Sequence, residues 1–281
     1  MIWIVVSLLI TACVYLYVQN YLIEVSEYEI TVPKLAAAIK GKRIVHLTDL
    51  HLRSKTNKSY VETVISKTKA QQPDMILLTG DLVQAGMKDL NDTLLKHFAE
   101  LCSQIAPTYA VTGNHDIGSG KQDQFKEILT KAGVRLLDNE AEVLRGTDGK
   151  ESLVLMGLSE SRNRTNLPKP ALKHIELSAD MERLPKILLA HRPEYFEEYM
   201  DDRTKAPALV LSGHTHAGQV RVPYFGGLFA PGQGLLPQYD YGVFVYKTDR
   251  LRKMVVSRGL GNSTFPVRVN NRPEIVSITL K

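Results

Sequence analysis

The chain of 281 residues is 44% hydrophobic and 23% charged, the balance of a globular protein that buries a sizeable core, which excludes a disordered or fibrous chain. Its length alone allows one large domain or two small ones. The net charge of +5 and pI near 9.0 suit anionic partners such as phosphates, acidic lipids or nucleic acid, but no block of clustered Lys and Arg accompanies them, so charge selects none of these.

Met1 to Ile23 carries no charged side chain. As a helix this segment predicts a length of roughly 34 Å, enough to cross a bilayer. Trp3, Tyr15, Tyr17 and Tyr21 stand near its ends as candidate interfacial anchors. A cleaved secretory signal is the alternative, but a basic start and a convincing cleavage site are missing. Ile10-Thr11-Ala12-Cys13 loosely matches a lipoprotein signal, yet the apolar run continues from Val14 to Val18. The expectation is an uncleaved anchor over residues 1–23 of a single-pass cell-membrane protein. Lys34, Lys40, Lys42 and Arg43 follow the span and lean the rest towards the cytoplasm, against Glu24, Glu27 and Glu29, which come first. Cys102 is the one thiol beyond the span, so the soluble part forms no internal disulfide.

Residues 24–41 read as a connector and a first strand, with Tyr28, Ile30 and Val32 alternating up to Pro33. Ile44–Leu47 predicts a buried strand. Ser59 and Glu62 suggest a capping box for a helix carrying Val61, Val64 and Ile65, which ends before Pro73. Met75–Leu78 predicts the next strand. Leu90, Leu94, Leu95, Phe98 and Leu101 describe an amphipathic helix, and Tyr109–Val111 a strand. Phe125, Ile128, Leu129 and Ala132 describe another helix, stopped at Gly133. Strands follow at Leu153–Met156, Ile187–Ala190, Leu209–Leu211, Val243–Tyr246, Met254–Val256 and Ile275–Leu280. An early βαβαβ order with a mostly β end suits a layered α/β sandwich better than a Rossmann sheet. Without a repeat or a low-complexity linker, one soluble domain over residues 42–281 is the economical division.

Short polar runs follow these strands: Asp49 and His51 in DLH, Gly80 and Asp81, then Asn114, His115 and Asp116 in GNHD, then His191, and His214 and His216 in GHTH. In α/β proteins ligands bind at the carboxyl ends of strands, where all of these runs lie. Two metals about 3.5–4 Å apart need a bridging group, and a carboxylate gives one oxygen to each. Mixed carboxylate and imidazole donors suit Mn, Fe or Zn, whereas an all-oxygen set points to Mg or Ca. No cysteine lies in any run, against a closed structural zinc site.

Five blocks in this order resemble the calcineurin-like metallophosphoesterase family, from about Lys42 to the C-terminus. GHTHAGQ (Gly213 to Gln219) and SRGLG (Ser257 to Gly261) are most similar to its membrane-anchored bacterial branch, which includes UDP-2,3-diacylglucosamine pyrophosphatases. The resemblance implies a four-layer αββα sandwich of two mixed β-sheets. It implies that Asp49, His51 and His216 hold one divalent metal and Asn114, His191 and His214 a second, with Asp81 bridging. It also implies a hydroxide between the ions as nucleophile, His115 off the metals as phosphoryl stabiliser or general acid, and Asp116 orienting His115. The pattern departs at Gln84, where many members carry an acid or asparagine. That position is not expected to hold metal and reads as tuning the site from behind the ligands.

The expected function is therefore a membrane-anchored binuclear phosphoesterase cleaving phosphodiester or pyrophosphate bonds, with a lipid-linked or envelope phosphate as candidate substrate. A non-catalytic binding module on the same fold is expected to lose ligands or the GNHD histidine, and none is missing. A nuclease is expected to carry a basic groove or capping domain, for which this chain has no cluster or spare length. His46, His97 and His174 read as structural or surface residues. Arg258 reads equally as a phosphate contact or a salt bridge. The stretch Gln219–Tyr241, with Tyr224, Phe225, Leu228 and Phe229, reads as a packed connection or as a lipid-contacting lip.

Overall fold

A computed structural model describes residues 1–90, 94–160 and 167–281. Two six-stranded mixed sheets lie face to face. In the first, strand Glu24–Ile30 runs parallel to Glu274–Leu280, which is antiparallel to Arg43–Leu47. Parallel strands Met75–Leu78, Thr108–Ala110 and Arg135–Leu136 complete it. In the second, Lys253–Val256, Leu209–Ser212, Lys186–Ala190 and Glu151–Leu158 run parallel, with antiparallel Gly242–Val245 and Glu140–Arg145 at the edges.

The sequence explains the layering. Met75–Leu78 and Ile187–Ala190 are apolar throughout because both faces are covered, as buried parallel strands require. Leu77, Val111, Ile187, Leu189, Leu211 and Ile278 meet between the sheets. Helices Lys58–Ala70, Leu95–Ile105 and Gln122–Lys131 cover the outer face of the first sheet through Val61, Val64, Phe98, Phe125 and Leu129. The second sheet is covered by short turns and 3-10 helices carrying Leu172, Ile175, Phe196 and Tyr199. This is the expected four-layer sandwich, with an outer layer of irregular segments on one side.

Three local expectations change. The first strand starts at Glu24 and ends at Ile30, because its partner is the C-terminal strand in a register that pairs Ile30 with Leu280. Asn57, not Ser59, caps the next helix: its side chain accepts the Ser59 N–H, while Glu62 faces Lys58 on the surface. The helix predicted from Leu90 begins at Leu95, and its expected stretch over residues 91–93 lies outside the described residues. Among the described residues, one helix, Ile2–Tyr21, is long and apolar enough to cross a membrane, and none of it is buried in the protein.

Candidate metal centre

Both sheets send the carboxyl ends of their central strands to one place. The loop after Arg43–Leu47 is laid along the loop after Met75–Leu78 by continued backbone bonds, Asp49 N–H to Gly80 O (3.0 Å) and His51 N–H to Asp81 O (3.0 Å). The second sheet closes the site with Gly213 N–H donating to His191 O at 3.1 Å. Asp49, His51, Asp81, His214 and His216 all hold a left-handed backbone, with φ from 46° to 70°. Non-glycine residues seldom adopt it, and strain of this kind persists where surrounding structure enforces it. Glycine is needed beside them because the chains touch: a Cβ on Gly113 would collide with the Asp81 carboxylate, and one on Gly213 with that of Asp49.

The side chains form two donor groups. Asp49, His51 and His216 offer ligand atoms within 4.8 Å of one another, as do Asp81, His191 and His214. Asp81 Oδ2 joins the groups, 3.2 Å from His191 Nε2 and 3.7 Å from His51 Nε2. Asp49 Oδ1 lies 3.4 Å from His216 Nε2. Asn114 Oδ1, at the start of the helix that follows Thr108–Ala110, is buried without a hydrogen-bond partner.

These two donor groups could hold cations. His191 Nδ1 donates to Thr79 O at 2.7 Å, so Nε2 is the atom turned to Asp81 and to His214 Nδ1 at 3.2 Å. Burial opposes a charge on His191, but Asp81 outweighs it and raises the imidazole to about 10. Burial likewise opposes ionisation of Asp49 and Asp81, yet the surrounding imidazoles hold both carboxyls below their ordinary range. His216 is driven down to about 3 and His214 well below its usual value, chiefly by burial, which leaves both neutral. Anionic carboxylates and neutral His214 and His216 are in the protonation states that a divalent cation requires, whereas His191, charged beside Asp81, would release its proton on ligating one.

His115 stands at the rim, its ring 4.6 Å from that of His51, and it shares a third group within 4.8 Å with His51 and Asp81. Its Nδ1 accepts from Ala85 N–H (3.3 Å) and lies 3.0 Å from Gln84 Nε2. Arg53 Nη2 donates to Gln84 Oε1 at 3.1 Å, which orients the amide with its NH₂ towards His115. Nδ1 is therefore the acceptor, and a neutral His115 carries its proton on Nε2. Asp116 does not orient His115. Its carboxylate accepts Gly113 N–H (2.8 Å) and Val83 N–H (3.0 Å), closing the first turn of helix Asn114–Gly118 and tying it to the Asp81 loop. Burial and then Asp81 raise Asp116 to about 7. Asp81 Oδ1 accepts His115 N–H at 2.7 Å, placing the carboxylate at the start of that turn.

The other open readings resolve. Arg258 is a structural ion pair, 3.1 Å from Glu274 and 3.3 Å from Glu24. His46 is buried against Thr79 Oγ1 at 2.7 Å, and burial lowers it to about 3. Gln84, expected to tune the site from behind the ligands, lies against His115, and sequence reasoning missed Arg53, which holds Gln84 there. The departure from the family pattern at Gln84 was the one signal available.

Two packed sheets whose strand ends converge on His and Asp donors define a metal-dependent phosphohydrolase. The chain belongs to the calcineurin-like phosphoesterase family, whose model matches residues 42–218. It is 33% identical to Phosphodiesterase YaeI of Escherichia coli, over 85% of this chain and 82% of that protein. It is 25% identical to UDP-2,3-diacylglucosamine pyrophosphatase LpxG of Chlamydia muridarum, over 92% of this chain and 89% of that one. A "Transmembrane protein with metallophosphoesterase domain" from Danio rerio is 29% identical over 92% of this chain, which spans 57% of that protein.

Proposed function

We propose that the protein is a membrane-anchored, two-metal phosphodiesterase or pyrophosphatase acting on a lipid-linked phosphate. The observation that carries this is Asp81 Oδ2, which faces His191 of its own donor group and His51 of the other. Asp49, His51 and His216 would hold one ion and Asn114, His191 and His214 the other, with Asp81 shared and Mn, Fe or Zn as the candidates. Bound there, a pair of divalent ions supplies an activated water and neutralises phosphoryl charge. His115 presents Nε2–H to a phosphoryl or leaving oxygen while Gln84 and Ala85 hold Nδ1. Asp116 keeps the loops of Asp81 and Asn114 in register through Val83 and Gly113.

The anchor reading is supported by the way helix Ile2–Tyr21 is built into the fold. Asn20 Oδ1 accepts Arg268 N–H and Asn262 Nδ2, both at 3.0 Å, and Gln19 Oε1 accepts Asn271 N–H at 2.7 Å. A segment destined for cleavage has no need of such contacts. The relatives named phosphodiesterase and pyrophosphatase support diester and pyrophosphate bonds as the chemistry.

With Mn added, detergent-solubilised full-length protein is expected to hydrolyse a model diester and a UDP-lipid pyrophosphate much faster than a monoester. Turnover of the monoester alone would contradict the bond class. Turnover of the soluble diester without any lipid pyrophosphate or lipid diester would contradict the lipid substrate.

A further inference from the structure

We propose that two hairpins beside the active site insert into the lipid bilayer and seat the metal centre at the membrane surface, where it takes phosphoesters from lipid headgroups. This rests on the reading of Ile2–Tyr21 as the anchor. The hairpins are Arg221–Val222 with Gly226–Gly227, and Phe229–Ala230 with Gly234–Leu235. Among the described residues beyond the apolar segment 1–23, seven of the large hydrophobic side chains left exposed lie between Val222 and Leu236, and four lie elsewhere. Tyr224 is fully exposed, while Phe225 and Leu235 are 70% and 73% exposed. Phe229, Leu228 and Leu236 stand beside them, also exposed. The stretch is thus not a packed connection. Apolar side chains exposed together along one stretch carry a solvation cost in water, and such concentrations mark an interaction surface.

The occupant is identified by what adjoins the patch. Tyr15 in the helix donates to Asn270 Oδ1 at 2.7 Å, and Asn270 Nδ2 donates to Arg221 O at 3.2 Å, so the first hairpin stands against the anchor. The 20-residue helix is about 30 Å long, which matches the hydrocarbon thickness, so spanning it uses even the turns that carry Tyr15 and Gln19. Those turns already touch the domain, which brings the neighbouring hairpins down to the bilayer boundary. Aromatic side chains such as Tyr224 and Phe225 favour that depth, and aliphatic Leu235 and Leu236 the acyl region below it.

The same contacts reach the metal centre. Asn271, held by Gln19 through its N–H, donates from Nδ2 to His216 O at 2.7 Å. The first hairpin begins five residues after His216, and Asn271 Nδ2 also donates to Gln219 O at 3.0 Å between them. Anchor, hairpin and the GHTH loop therefore move as one body, and the site cannot swing away from the bilayer on a tether.

The test uses the full chain with Trp3→Phe, reconstituted in phosphatidylcholine–phosphatidylglycerol vesicles whose acyl chains carry bromine. Single probes Phe225→Trp, Phe229→Trp and Leu235→Trp are compared with Lys150→Trp, in a turn at the opposite end of the strands. The expected result is strong quenching and a blue shift at the three hairpin positions, with Lys150→Trp unaffected. Wild-type Trp3 reports on the anchor. Quenched Trp3 with unquenched hairpin probes would overturn the insertion proposal and leave the anchor standing. Unquenched Trp3 would overturn both. Hairpin probes shielded from bromolipid and from aqueous acrylamide alike would mean a protein covers the patch, which also overturns it.

Discussion

Asp81→Asn is expected to abolish hydrolysis and to remove the coupling between the two donor groups. The substitution keeps size, so the buried contact from His115 N–H to Oδ1 survives, and the loops are not displaced. It removes the charge of the one oxygen that faces both His191 and His51. Two cations at this separation repel each other, and the bridging carboxylate offsets that repulsion. Residues one layer behind metal ligands already cost about 10–100-fold when replaced, so losing the shared ligand should cost more than about 10²-fold in activity. Metal ions that bind the folded chain alone raise its melting temperature by mass action, and this response should largely disappear in Asp81→Asn. Unchanged activity with full metal content would remove Asp81 from the bridging role.

The second large effect separates chemistry from metal binding. His115→Asn is expected to lower kcat by about 10²–10⁴-fold, the usual contribution of a positioned acid or base, while both ions stay bound. The reason is the orientation of the ring: Gln84 and Ala85 occupy Nδ1, leaving Nε2 and its proton for the substrate. His115 also lies within ligand distance of His51 and Asp81, so metal content is the deciding readout. Loss of an ion in His115→Asn would place the imidazole among the ligands. A substrate with a very good leaving group should recover much of the lost rate if His115 protonates the leaving oxygen, and none if it acts only on bound phosphoryl charge.

The parts of this site that could be read from the chain are those set by local patterns. An apolar run followed by a polar turn marks a strand end, and DLH, GD, GNHD and GHTH each lie at one. What brings them together is the pairing of strands, and periodicity does not encode which strand lies beside which. The first strand shows this, since its limits follow from pairing with residues 274–280 at the far end of the chain. Asp116 is not the partner of His115 for a related reason. Asp116 is adjacent in sequence, but position N3 of a short helix turns its carboxylate back onto Gly113. Gln84, some thirty residues earlier, reaches the imidazole because the two loops leave neighbouring strands. The docking of Gln19 and Asn20 onto residues 262–271 left no pattern at all, since polar residues near the end of an apolar span look like a simple boundary.

This chain is expected to hold a pair of divalent ions and to use them to cleave phosphoesters. This is tested most directly by stripping the full-length protein with chelator, then titrating Mn or Zn back while recording bound metal and diester hydrolysis on the same sample. The stripped protein is expected to show no turnover, with recovery that saturates as two ions bind per chain. Hydrolysis that persists without metal, or two bound ions with no hydrolysis of any diester or pyrophosphate, would contradict it.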